Sequence, residues 1–210
     1  MRRPARLSVI VAAPFLLAAC ACGTTACERK IEEPIVEDGP HPKVAATPAP
    51  PPVKERCIKK SPAEPKRKTP PSPDPHCPKD NLAHPPELRT GKVSFPEAKG
   101  ETITVEVAET DATRQRGLMY RTKMAQDHGM IFRFDEKDNH TFWMHNTCIP
   151  LDMLYIDDDG MIVGIEENTP TMSDDTFEVG CDSKYVLEVN AGWTRAHGVM
   201  AGQKAKLEGI

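Results

Sequence analysis

The sequence predicts a mainly β domain, a compact antiparallel sandwich or partly open barrel with one or two short helices, after a disordered N-terminal tether. Short apolar runs with a period of two, separated by turn residues, predict the strands. Few stretches have helical periodicity. Sixteen of the 21 prolines fall between residues 34 and 86, a composition that predicts an extended segment without a core of its own.

The individual elements follow from side-chain patterns. Apolar and polar residues alternate over residues 101–108, which predicts a half-buried strand. Residues 151–156 and 161–165 are apolar on both faces and are predicted to be central strands, joined by a hairpin turn at residues 157–160. Further strands are predicted at 130–134, 140–145, 185–189 and 204–208. Short helices are predicted at 112–116, after an N-cap at Thr110-Asp111, and at 192–197.

The chain is predicted to divide into three parts: a lipoprotein signal peptide at 1–19, a lipid-anchored, proline-rich disordered linker at 20–90, and a β-rich domain at 91–210. Three arginines precede the apolar run of residues 7–19, which is short for a membrane span. Leu17-Ala18-Ala19-Cys20 resembles a bacterial lipobox, which implies cleavage before Cys20 and its acylation, including by palmitate. An ordinary secretory signal is the alternative.

This anchor predicts the location and one partner of the protein. The membrane is the predicted partner, bound through acyl chains on Cys20. The residue after the cysteine is Ala21 and not Asp, and in this the chain resembles lipoproteins that are delivered to the outer membrane, facing the periplasm. From residue 91 onward 12 Lys and Arg stand against 21 Asp and Glu, a net charge of −9, so no nucleic-acid partner is predicted.

Seven cysteines are present, and six remain for disulfides if Cys20 is acylated. Cys148 and Cys181 are the two inside the predicted domain, and a bridge between them is the simplest interpretation. Cys57 with Cys77, and Cys22 with Cys27, are plausible pairs in the linker, where the absence of a predicted fixed structure leaves the pairing open.

Several linked motifs resemble one known family. They are Arg116–Arg121, Gly129–Phe132, Phe142–Thr147, Ile149–Asp152 and Tyr185–Val189, followed by glycines at 192, 198 and 202. In order and spacing they resemble the bacterial domain of unknown function family 192, over about residues 93–208. The resemblance implies a compact, mostly β fold, often exported, without an established activity. Family members often carry Lys at His145 and an apolar residue at Cys148.

The polar residues inside these motifs are the candidate ligand-binding residues. With the tryptophan they are Arg116, Arg121, Trp143, Asn146, Asp152 and Glu188. An exposed indole beside such groups could stack on a small ligand while the polar groups orient it. The structural alternative is that Asn146 and Asp152 cap backbone groups at a turn, and that Glu188 pairs with an arginine.

The function predicted is therefore a non-catalytic binding or accessory module of the cell envelope, for a small ligand or an envelope protein, without a cofactor or metal. One alternative is an envelope hydrolase that uses Asp152 and Glu188 as general acid and base. A second is a copper protein, because Cys148, His145 and eight of the nine methionines lie in the domain. The Asp157–Gly160 turn also partly matches a calcium loop, but Tyr155 stands at its first position.

Overall fold

The computed structural model describes residues 55–210. Within this range the chain forms nine strands and two short helices. In chain order they are β1 (Thr90–Ser94), β2 (Thr102–Ala108), α1 (Asp111–Arg116), β3 (His128–Asp138), β4 (Phe142–Trp143), β5 (Leu151–Ile156), β6 (Ile162–Thr169), β7 (Thr176–Phe177), β8 (Ser183–Asn190), α2 (Trp193–His197) and β9 (Lys206–Glu208). Neither of these helices is long and apolar enough to cross a membrane.

Seven strands form one sheet in the order β6-β5-β8-β3-β2-β1-β9, and β4 pairs with β7 in a separate ribbon. All neighbours in the large sheet are antiparallel except β2 and β3, which run parallel. The segment before β9 also contacts the opposite edge strand, since the Ile162 amide donates to the carbonyl of Gln203 at 3.0 Å. The sheet therefore curls toward closure without becoming a closed barrel.

The curled sheet separates two apolar cores. Its inner face buries side chains such as Val105, Leu154 and Leu187 together with Trp193 of α2. Its outer face buries a second set, including Met130 and Met153, beneath the β4–β7 ribbon and the loops around it. Because both faces are covered, β5 is buried at all six positions, as its two-sided apolar sequence predicts.

The mainly β prediction is confirmed, with its hairpin and its two short helices. The turn at Asp157–Gly160 joins β5 to β6, and the Gly160 amide donates to the Asp157 carbonyl at 3.0 Å. Thr110 is the N-cap of α1, and its hydroxyl accepts from the Thr113 amide at 3.3 Å. Two strands were not predicted, β1 and β7. Both are short, at five and two residues.

Residues 55–88, which we call the strap, differ from the prediction of a disordered linker that reaches residue 90. They lie against the domain, although they form no helix or strand. The Lys59 amide donates to the Val163 carbonyl at 2.7 Å, and the Asp74 amide donates to the Cys148 carbonyl at 2.8 Å. Further along, Arg67 pairs with the Glu166 carboxylate at 3.2 Å. The prolines therefore favour an extended strap that the domain holds in place.

The disulfides explain this attachment and correct the predicted pairing. The four predicted cysteines are bonded, but as Cys57–Cys181 and Cys77–Cys148, so each bridge ties the strap to the domain. The predicted Cys148–Cys181 bridge is therefore wrong, as is Cys57–Cys77. The predicted pairing assumes a linker without structure, whereas the strap lies against the domain and brings Cys57 and Cys77 to the two domain cysteines. Cys20, Cys22 and Cys27, with the signal peptide and the first part of the linker, lie outside the described residues.

Candidate functional site

An open groove of about 590 Å³ lies on the outer side of the sheet, between α1, the strap and the turn at residues 144–147, which we call the β4 turn. Its size falls within the range of small-molecule sites, about 300–1,000 Å³. Three of the six candidate residues line it, namely Arg116, Trp143 and Asn146. The complete lining is Asn81, Leu82, Pro86, Ala112, Thr113, Gln115, Arg116, Met119, Tyr120, Trp143, His145 and Asn146.

Trp143 forms an aromatic platform at the rim of the groove. Its side chain is 47% exposed, one of three large apolar side chains so exposed within residues 55–210. Its ring stacks on that of His145, with centroids 4.9 Å apart and planes 25° apart. His145 is itself held by a 2.6 Å contact between its Nδ1 and Asp174. The sequence places Phe142 and Met144 on the opposite side, and both pack into the outer core as predicted.

Asn146 joins the β4 turn to the loop after α1. Its Nδ2 donates to the Tyr120 hydroxyl at 3.1 Å, and its carbonyl accepts from the Tyr120 amide at 2.8 Å. Both residues have a positive φ, 51° at Asn146 and 66° at Tyr120, a conformation that non-glycine residues seldom adopt. Such backbone strain tends to occur at functional sites. The two loops are therefore fixed to each other at the floor of the groove.

Arg116 lies at the junction of the groove and the strap. Its guanidinium pairs with the carboxylate of Asp80, a strap residue, and lies 5.3 Å from the centre of the Tyr120 ring. The arginine side chain is 17% exposed, and the carboxylate of Asp80 neutralises its charge. The ion pair therefore anchors the strap to the domain at the edge of the groove.

Arg121 and Glu188 lie outside the groove. Arg121 pairs with Glu106 through two contacts of 2.7 and 2.5 Å, beside a neighbouring cavity. Glu188 is 4% exposed and shares a cross-strand position with Met130 and Met153 on the outer face of the sheet. Burial raises the pKa of the Glu188 carboxyl to about 8, against the opposing charge of Arg121.

Asp152 has a structural role on the inner side of the sheet. Its carboxylate accepts from the backbone amides of Asn168, Gly192 and Thr194, at 2.9, 3.1 and 3.1 Å. It also accepts from the Thr194 hydroxyl at 2.6 Å. These contacts satisfy amides at the start of α2 and fix the end of β6. The contacts of Asp152 therefore agree with the structural alternative, in which its carboxylate caps backbone amides.

The hydrolase alternative needs Asp152 and Glu188 to share a site. They lie on adjacent strands, where Asp152 pairs with Val189 and Met153 pairs with Glu188. Successive side chains on a strand point to opposite faces, so the two carboxyls are separated by the sheet. The inward contacts of Asp152 with Thr194 agree with this placement. The geometry therefore does not bring them together as an acid–base pair.

The two metal alternatives also lose their donors to other contacts. Cys148 is bonded to Cys77, and Met130, Met144 and Met153 are at most 1% exposed within the outer core. At the hairpin, Asp157–Asp159 do lie close together. They are paired with cations: Lys137 contacts Asp157, while Arg56 and Lys204 contact Asp159 at 2.7 and 3.2 Å. The turn is thus stabilised by side chains from three parts of the chain.

Sequence reasoning missed the residues that complete the groove. Tyr120 lies within one of the motifs, but its positive φ and its bond to Asn146 are visible only in the fold. Asn81 and Leu82 lie in the strap, within the predicted linker. The signal in the sequence is an isolated leucine in a proline-rich polar segment: Leu82 is 45% exposed and lines the groove.

Comparisons with known proteins agree with the family resemblance of the sequence motifs. The sequence profile of the family DUF192, described as "Uncharacterized ACR", matches residues 94–207. A structure from Sinorhizobium meliloti 1021, described as a candidate transcription regulator, is 40% identical with a TM-score of 0.56, covering 59% of this chain and 98% of that one. A protein of unknown function from Novosphingobium aromaticivorans is 29% identical with a TM-score of 0.56, covering 61% of this chain and 91% of that one.

No curated protein matches the sequence. The matched residues 94–207 include α1, the β4 turn and the strands β2 to β8, together with the last residue of β1 and the first two residues of β9. The strap lies before them, so one wall of the groove comes from outside the matched region. The profile spans more than half of the 210 residues, and the chain belongs to the DUF192 family.

Proposed function

We propose that this protein is a non-catalytic binding module of the bacterial cell envelope, whose groove holds a small ligand. The exposed Trp143 indole, stacked on His145 above a groove of small-ligand size, is the observation that carries this proposal. An indole left half exposed costs the folded protein the free energy that its burial would supply. A ligand that stacks on the ring recovers part of that free energy.

The chemistry of the groove supports binding more than catalysis. Arg116 is paired with Asp80, and the Nδ1 of His145 contacts Asp174. A histidine held in this way can still exchange a proton through Nε2, but the described lining places no carboxylate, serine, cysteine or lysine beside it. Its other polar side chains are amides and hydroxyls, which suit the binding of a ligand.

The envelope location is part of the same proposal. The charged start of the chain, the apolar run and the Leu17–Cys20 motif support export and a lipid anchor at Cys20. Two disulfides in the described residues suit an oxidising compartment. The description of the Sinorhizobium protein as a transcription regulator does not fit this chain as well, because a domain with a net charge of −9 repels DNA.

An NMR screen of a small-molecule fragment library tests the proposal. Amide and indole resonances of the ¹⁵N-labelled full-length chain would be followed on addition of each compound. We expect the bound fragments to converge on the Trp143 indole N–H and on the amides of Asn146 and Tyr120. The opposite result, fragments that bind elsewhere or nowhere, would show that the groove is not a binding site.

A further inference from the structure

Three residues with side-chain carboxamides line the same groove as the indole, namely Asn81, Gln115 and Asn146. They come from the strap, from α1 and from the β4 turn, so three separate segments supply the same functional group. Asn146 donates one bond to Tyr120. The side chains of Asn81 and Gln115 make no hydrogen bond to any residue within 55–210 and are exposed. Their hydrogen-bonding capacity is therefore available to a ligand.

A carboxamide both donates and accepts hydrogen bonds, and a hydroxyl group does the same. A ligand that carries several hydroxyls around its edge can thus match each carboxamide in either direction. The Tyr120 hydroxyl adds a fourth group of this kind at the floor. An ionic ligand would instead need unpaired charges, and Arg116, the permanently charged side chain of the lining, is already paired with Asp80.

Two exposed apolar side chains line the groove from different segments. Trp143 belongs to β4 and Leu82 to the strap, and they are 47% and 45% exposed. A ring with an apolar face stacks on an indole, while its polar edge points to the rim. The ligand therefore combines an apolar face, an edge of hydroxyls and no net charge.

We infer that the groove binds a neutral saccharide, with the C–H face of one sugar ring on Trp143 and its hydroxyls on the carboxamides of Asn81, Gln115 and Asn146. This inference rests on the proposed function, since it names the class of ligand for the same groove. Binding forms and breaks no covalent bond. The strap contributes one carboxamide and one apolar wall, so it determines in part which saccharide fits.

Isothermal titration of the full-length chain with neutral disaccharides tests this inference. The probes are N,N′-diacetylchitobiose, cellobiose and maltose, with digalacturonic acid as a charged comparison. We expect at least one neutral disaccharide to bind more tightly than the charged one. Trp143→Ala should weaken that binding at least tenfold, and Trp143→Phe should restore most of it because an aromatic face remains. Met200→Ala, at an apolar side chain 54% exposed and outside the groove lining, should leave it unchanged.

Gln115→Ala keeps the test decisive if Trp143→Ala does not fold, because this exposed α1 position accepts alanine well. We expect it to weaken binding about threefold or more. If no neutral disaccharide binds at 20 mM while fragments still converge on the groove, the saccharide inference is overturned and the proposed function stands. If neither class binds there, both are overturned. Tighter binding of digalacturonic acid would also overturn the inference.

Discussion

Replacing Asp152 with alanine should destabilise the fold strongly, because this carboxylate is 0% exposed and accepts four hydrogen bonds. A hydrogen bond to a charged group contributes about 1.5–3 kcal/mol, and a buried donor left without a partner costs about 1–3 kcal/mol. Since the four bonds share one side chain and do not add fully, we expect a loss of roughly 3–5 kcal/mol. Domains of this size have about 5–15 kcal/mol in total.

Asp152→Asn provides a graded version of the same test. Its remaining oxygen can still accept from the amides of Asn168 and Gly192, but its new amide group meets the amide donor of Thr194. We expect this variant to lose about half as much, roughly 2 kcal/mol. Urea unfolding monitored by circular dichroism measures the free energy of unfolding of both variants.

Asp182→Ala is the matched control, because this aspartate is exposed and its side chain makes no hydrogen bond within residues 55–210. It should change the free energy of unfolding by less than about 0.5 kcal/mol. If Asp152→Ala stayed within about 1 kcal/mol of the wild type, the capping role would be refuted. Asp152 would then again be a candidate for catalysis.

Three further changes probe separate parts of the fold. Because burial raises the pKa of Glu188 to about 8, its protonated form contributes stability that is complete below about pH 4.5 and is lost as pH rises to about 8. The Glu188→Gln variant should therefore gain stability relative to wild type by about 1.4 kcal/mol per pH unit between pH 5 and 8. Urea unfolding at several pH values measures this difference, and parallel stability curves for the two proteins would contradict it. Replacing Cys77 and Cys148 with serine opens a loop of 71 residues and should cost about 2–4 kcal/mol, with faster proteolysis of the strap; an unchanged cleavage rate would contradict this. Gly164→Ala would place a Cβ 2.6 Å from the Val179 side chain and should cost about 1–3 kcal/mol, whereas a melting temperature equal to wild type would show that the contact relaxes freely.

Local patterns in the sequence are sufficient to predict most strands of this domain. β5 has a two-sided apolar sequence, and its predicted bounds agree with the observed Leu151–Ile156. β2 has strict alternation and begins within one residue of its prediction. Both signals are local consequences of which faces of a strand are buried. β7 has two residues, too few for any period, so it depends on its pairing with β4.

The candidate site was only partly predictable, because its composition depends on contacts distant in sequence. Trp143 and Asn146 were recognised from a motif and do line the groove. The strap wall depends on bridges that span 124 and 71 residues, and cysteine spacing alone does not determine such pairing. Whether Asp152 and Glu188 share a face depends on the register of β5 against β8, which places them on opposite sides.

Acrylamide quenching of tryptophan fluorescence tests the central claim, that the groove at Trp143 is the binding site. The chain has two tryptophans, and Trp193 is 3% exposed, so the quenchable emission belongs to Trp143, 47% exposed. Trp143→Phe should remove that quenchable part and verify the assignment. We expect the neutral disaccharides, or the fragments found by NMR, to protect Trp143 from acrylamide in a saturable manner. Quenching that stays unchanged at saturating concentrations of compounds known to bind would contradict the account.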